Sequence, residues 1–84
     1  MNMRTLFIDA NLYTTPRDLH GALKMMLSLP DYYGMNADAL NDCISEIPDT
    51  VNAVIVSRGE GAVAETLDKI CRVIADNGGS VSEI

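Results

Sequence analysis

Short, continuous apolar runs along this chain alternate with longer stretches in which apolar residues recur every three or four positions. "RTLFID", residues 4 to 9, and "VNAVIV", residues 51 to 56, are runs rich in β-branched and aromatic side chains, and each predicts a strand. The first is expected to be buried rather than to alternate, as strands enclosed in a parallel sheet are. "SVSEI", residues 80 to 84, predicts a third and shorter strand.

Two helical periods lie between the first two strands. "TPRD" offers Thr15 as N-cap, Pro16 at the first helical position, where its missing N–H is no loss, and Asp18 reaching back in the manner of a capping box. Leu19, Leu23, Met26 and Leu27 then share one face, and Pro30 stops the helix because proline disfavours helical backbone in the residue before it. A second helix is predicted from about Asn36 to Ile47. At about 100° per residue, Ala39, Leu40, Cys43, Ile44 and Ile47 fall in one arc, and Asp38, Asn41, Asp42 and Ser45 in the opposite one. A third helix, "GAVAETLDKICRVIAD", turns Val63, Leu67, Ile70, Cys71 and Ile74 inward and stops at Asn77-Gly78. Strands separated by helices pair in parallel through crossovers. The predicted fold is therefore α/β, a small three-stranded parallel sheet packed with about three helices, in a single domain over residues 1 to 84.

With 84 residues, 48% of them apolar, a hydrophobic core suffices without disulfide or metal staples. No apolar run approaches the roughly 18 residues that suggest a membrane span. "MNMRTLFID" has too short an apolar stretch for a secretory signal, so a cytoplasmic location is expected. Cys43 and Cys71 lack metal-ligand spacing and are expected to be reduced core thiols.

Charge changes the picture more. Twelve acidic residues against six basic ones give a net charge of -6, which argues against nucleic acid or an anionic membrane as partner and points to a basic one. Between Lys24 and Arg58 stand Asp31, Asp38, Asp42, Glu46 and Asp49 with no lysine or arginine among them. Asp38 and Asp42 lie one turn apart on the polar helix face, where like charges cost about 0.2 to 0.5 kcal/mol. They could form a merely solvated face, a metal or acid/base pair, or a contact for a partner. Nothing completes a metal or catalytic site: the chain's one histidine, His20, sits in another helix, and none of the H-x-E, H-E-x-x-H or D-x-D-x-D-G patterns occurs. His20 is expected to be a packed or capping side chain.

A rival motif is "GEGAVA", Gly59 to Ala64, which follows a strand, opens a helix and fits G-x-G-x-x-A, with Glu83 on the next strand where a ribose-binding acid would stand. Against dinucleotide binding, Glu60 brings a carboxylate to the place of the pyrophosphate. Glycines that simply turn the chain into a helix are the favoured explanation.

The unbroken stretch "DLHGALKMMLSLPDYYGMNADALNDC", Asp18 to Cys43, closely resembles the barstar-like family of intracellular ribonuclease inhibitors, with Leu19, His20, Pro30, Tyr32, Tyr33, Gly34, Asn36, Asp38, Leu40, Asp42 and Cys43 among the matching positions. The resemblance implies that the second helix and the loop before it plug the active site of a basic ribonuclease. It implies Asp42 as the carboxylate that replaces the scissile phosphate and Asp38 as a second charged contact. Tyr32 would be an aromatic contact, and Gly34, Asn36 and Ala37 contacts of the loop and helix start, with Asn41 and Ser45 completing the outward face. The chain departs from the family in having Asn41 in place of a large aromatic and Val73 in place of an acid on the last helix, and Cys71 does not match the family's other cysteine. The short link between "VIVSR" and "GAVAET" implies three helices rather than the family's four. The implied protein is a non-enzymatic inhibitor or immunity protein against a ribonuclease toxin, monomeric when free and without metal or cofactor. The alternative is a binding module of the same fold for a non-nuclease toxin or regulatory partner. A dinucleotide-binding fragment is the remote third possibility.

Overall fold

The structure, a computed structural model, describes residues 2–84. Its elements are β1 (Met3–Asp9), a short 3-10 turn (Ala10–Leu12), α1 (Pro16–Met26), α2 (Ala37–Glu46), β2 (Thr50–Ser57), α3 (Gly61–Asp76) and β3 (Ser80–Glu83). The three strands are parallel and lie in the order β1-β2-β3. Register runs from Met3 opposite Thr50 to Ile8 opposite Ile55, then slips at Asp9; Asn52 to Ile55 pair with Ser80 to Glu83. The α/β fold with three helices is the one the periodicities predict, and the 3-10 turn is the one element they did not.

The helix ends follow local chemistry. The Thr15 side chain accepts a hydrogen bond from the Asp18 backbone N–H, capping α1 with Pro16 at its start. Asp18 does not reach back to its cap; its carboxylate accepts from the Thr14 hydroxyl at 3.1 Å instead. Asn36 caps α2 by accepting from Ala39 N–H at 2.8 Å. The chain leaves α3 through Gly78 at φ +82, and Gly79 then presses against the sheet. A Cβ on Gly79 would collide with the Val51 carbonyl oxygen and lie 2.8 Å from Ile74 Cγ2.

The expectation of a first strand buried on both faces is corrected. Leu6, Ile8, Val51, Ala53 and Ile55 turn to a core that they share with α1, α2 and α3, while Met3, Phe7 and Val56 are exposed, Phe7 to 64%. Three helices on one side leave the other side of the sheet uncovered, so β1 alternates like a half-exposed strand. Side-chain links brace the edges of the fold. Arg4 donates from Nε to Asp49 at 3.0 Å and from Nη1 to the Leu27 carbonyl at 3.1 Å, tying β1 to the end of α1 and the segment before β2. Arg58 pairs with Asp68 on α3 and with Glu83 on β3. α3 packs on α1, α2, β2 and β3, so it forms the spine against which α2 is held.

Candidate partner-binding site

The loop from Leu29 to Asn36 delivers the chain to α2, and its two tyrosines divide the work. Tyr33 is buried and Tyr32 is 81% exposed. The Tyr33 hydroxyl lies 2.6 Å from His20 Nδ1, a hydrogen bond whose direction is set by the imidazole tautomer. Burial pushes the His20 pKa down and, with a smaller contribution from Cys43, pushes the Tyr33 phenol up, so both are neutral near pH 7. His20 is thus a packed side chain, as expected, whose bond fixes the loop that carries Tyr32.

Three further features fix the start of α2. Met35 is held at φ +56, a conformation that costs a non-glycine residue about 1 kcal/mol or more. Gly34 packs closely: an added Cβ would stand 3.3 Å from the Ala39 Cβ, tighter than ordinary contact. Asn36 uses both ends of its carboxamide, accepting from Ala39 N–H and donating to the Gly34 carbonyl at 3.1 Å. Among the proposed contacts, Asn36 therefore also shapes the loop.

Along α2, Leu40 and Ile44 are buried, Ala39 and Cys43 are half-buried, and Asp38, Asn41, Asp42 and Ser45 are exposed, as the helical arc predicts. Ser45 donates its hydroxyl to the Asp42 carbonyl at 2.8 Å. Asn41 accepts at 2.8 Å from the Asn77 carboxamide, which clasps α2 to the end of α3. Spacing also brings in an acid that the resemblance did not point to. Glu46 stands one turn beyond Asp42, so Asp38, Asp42 and Glu46 form one exposed ridge at i, i+4 and i+8. Among the described residues none of the three takes part in an ion pair. The ridge is an uncompensated anionic surface on a rigid element.

Two cavities flank it. One of about 360 Å³ lies beside Tyr32, Cys43, Glu46 and Ile47, with Arg4 and Asp49 also on its wall. The other, of about 590 Å³, opens between α2 and α3 and is lined by Asn36, Ala37, Asp38, Thr66, Lys69 and His20. Burial, followed by the Glu46 and Asp42 charges, pushes the Cys43 thiol up, which leaves it protonated rather than a nucleophile at neutral pH. Both cysteines are free and half-buried rather than fully in the core.

The structure brings together Tyr32, Gly34, Asn36, Ala37, Asp38, Asn41, Asp42 and Ser45 on one loop-helix unit. It gives the glycine-rich segment before α3 a packing role. Gly59 adopts φ +70, and a Cβ there would lie 3.0 Å from the Ala10 Cβ, while Glu83 is engaged by Arg58. No cluster of three or more metal-ligating side chains forms among the described residues. No helix among them is long and apolar enough to cross a membrane.

A family model described as "Barstar (barnase inhibitor)" matches residues 3–80. A relative named "Putative ribonuclease inhibitor YrdF", from Bacillus subtilis (strain 168), is 46% identical over 43 residues, which is 51% of this chain and 47% of the relative. The match thus spans about half the length of that protein.

Proposed function

The chain belongs to the barstar family, and from that premise we propose that it is an inhibitor that plugs the active-site cleft of a basic ribonuclease with the Tyr32-to-Glu46 unit, serving as an immunity protein or antitoxin. One observation carries this: the exposed ridge of Asp38, Asp42 and Glu46, without cations of its own, on a helix whose start is locked by Asn36 and the buried Tyr33. A nuclease must build a cationic cleft to hold an anionic backbone. Carboxylates held rigidly in that cleft use the same attraction and offer no bond to cleave.

Asp42 supplies the central charge, Asp38 the second, and Tyr32 an aromatic surface whose burial on the partner adds contact area at low entropic cost. Gly34, Ala37, Asn41 and Ser45 are small or polar groups around these anchors and shape the contact. Truncating one member of a desolvated charge pair at such an interface costs about 2 to 5 kcal/mol. The general figures for charged interfaces draw on barnase and barstar themselves, so they serve here as a family benchmark and not as a value worked from this structure.

The test is inhibition of RNA cleavage by barnase and by ribonucleases encoded alongside the chain, with Asp42→Ala as the diagnostic variant. Inhibition by the wild type, lost in Asp42→Ala with the fold intact, is the expected result. Equal inhibition by both proteins would reject the role assigned to the ridge. The association rate should also fall as salt rises, because steering by exposed charge is screened.

A further inference from the structure

We propose that Lys69 is a specificity-determining residue that turns away ribonucleases whose cleft is basic on the α3 side and admits one that carries a carboxylate there. This rests on the assignment of the acid ridge as the interface. Of the six lysines and arginines, Arg4, Lys24 and Arg58 are tied up in ion pairs with Asp49, Asp31, Asp68 and Glu83. Lys69 is exposed and in no ion pair among the described residues. It lines the 590 Å³ groove that also receives Asp38, Ala37 and Asn36, three residues of the proposed interface.

Of the three basic side chains in no ion pair among the described residues, Arg17, Lys69 and Arg72, Lys69 is the one that lines this groove. Leu67, Ile70 and Ile74 face the core, and Asp68 turns to Arg58 on the flank away from α2. Thr66 and Lys69 line the groove with α2, and Asn77 on the same flank bonds to Asn41. A partner that covers Asp38 and Asp42 therefore meets an ammonium group on the wall that α3 gives to the groove Asp38 also lines. Like charges brought together at an interface are penalised, which makes such a group a device for rejecting wrong partners as well as for choosing the right one. The occupant that fits the groove is a carboxylate side chain of the target, set beside Lys69 while the target's own cations meet Asp38 and Asp42.

Barnase, the enzyme in the family's description, is the probe. Wild type, Lys69→Met, Lys69→Glu, Asp42→Ala and the double variant Lys69→Glu/Asp42→Ala are compared for inhibition at low and high salt, with urea midpoints confirming that each folds. Lys69→Glu should inhibit barnase about tenfold more tightly than wild type, as expected when an exposed charge contact is reversed rather than removed, with Lys69→Met in between. The gain should shrink in high salt and recur between Asp42→Ala and the double variant, because separate contacts add. Against a ribonuclease that the wild type inhibits strongly, the order should reverse. Barnase inhibition by Lys69→Glu no tighter than by wild type overturns the role of Lys69, while loss of inhibition in Asp42→Ala would leave the ridge standing. Full inhibition by Asp42→Ala overturns the ridge instead.

Discussion

Replacing Asp42 with alanine should make the free protein more stable and the inhibitor worse. Asp42 is flanked by Asp38 four residues before and Glu46 four residues after, all on one exposed helical ridge. Each like-charged pair at that spacing costs about 0.2 to 0.5 kcal/mol, so removing the middle charge relieves two of them, roughly 0.4 to 1 kcal/mol. Alanine is also the better helix former, by up to about 0.7 kcal/mol. Nothing in the structure offsets these gains, because the Asp42 carboxylate takes part in no hydrogen bond or ion pair among the described residues. The Ser45 hydroxyl bonds to the Asp42 backbone carbonyl, which the substitution keeps.

The two contributions together predict stabilisation of about 0.4 to 1.7 kcal/mol, or a Tm higher by roughly 2 to 14 °C in a chain of this size. Urea and thermal unfolding measure it, and the gain should be larger at low salt, where repulsion is unscreened. Against a ribonuclease target the same variant should lose about 2 to 5 kcal/mol, or about 30-fold to several-thousand-fold in Kd. The opposite signs are the signature of a residue kept for binding at a cost to folding. A variant less stable than wild type would reveal an intramolecular role for Asp42 and refute the reasoning. A variant that is more stable yet fully inhibitory would place the interface elsewhere.

The other predictions concern how the ridge is held. Tyr33→Phe removes the hydroxyl that His20 Nδ1 meets at 2.6 Å and should cost about 1 to 3 kcal/mol in urea unfolding; a loss under about 0.5 kcal/mol would show that this bond does not anchor the loop. Burial lowers the folded-state pKa of His20 below its ordinary 6.5, so the unfolded chain takes up that proton first as pH falls. Stability from this residue is thus fully present above pH 6.5 and declines as pH drops toward the lower folded value. His20→Gln should flatten the difference in urea midpoint between pH 7 and pH 5, and an unchanged difference would count against it. Gly79→Ala forces a methyl group against the Val51 carbonyl and Ile74 and should destabilise by about 2 to 3 kcal/mol or more, read from the same urea curves, with a loss under 1 kcal/mol contradicting the close approach of α3 to β2.

Much of this architecture was legible because each helix carries its own instructions. Thr15, Pro16 and Asn36 mark helix starts by satisfying or dispensing with backbone N–H groups, a local chemistry that no tertiary contact has to supply. The two main strands were placed to within a residue, but the burial of the first was not, because one-sided coverage depends on where three helices settle and no pattern in "RTLFID" reports that. Phe7 reads as a core residue in the sequence and stands exposed in the fold. The buried bond between His20 and Tyr33 was equally hidden, since thirteen positions separate partners that only the packing of α1 against the loop brings together. Glu46 could have been found from its spacing to Asp42 alone.

The acid ridge itself was readable for a stronger reason than its own residues. Leu40 and Ile44 are buried in the core, and turning α2 enough to hide Asp38 or Asp42 would expose them and take an unpaired carboxylate out of water, which is far more costly than any contact it could make there. The apolar half of the helix thus dictates where the charged half points, whatever the charged half is for. Lys69 obeys no such rule. Its place across a groove from Asp38 follows from how α2 and α3 lie side by side, and two helices joined through a whole strand carry no local signal of that angle. A residue whose orientation is set by its own helix can be assigned from spacing; one whose effect depends on the neighbouring helix needs the fold, and it is at such positions that inhibitors sharing one ridge can differ in the enzymes they accept.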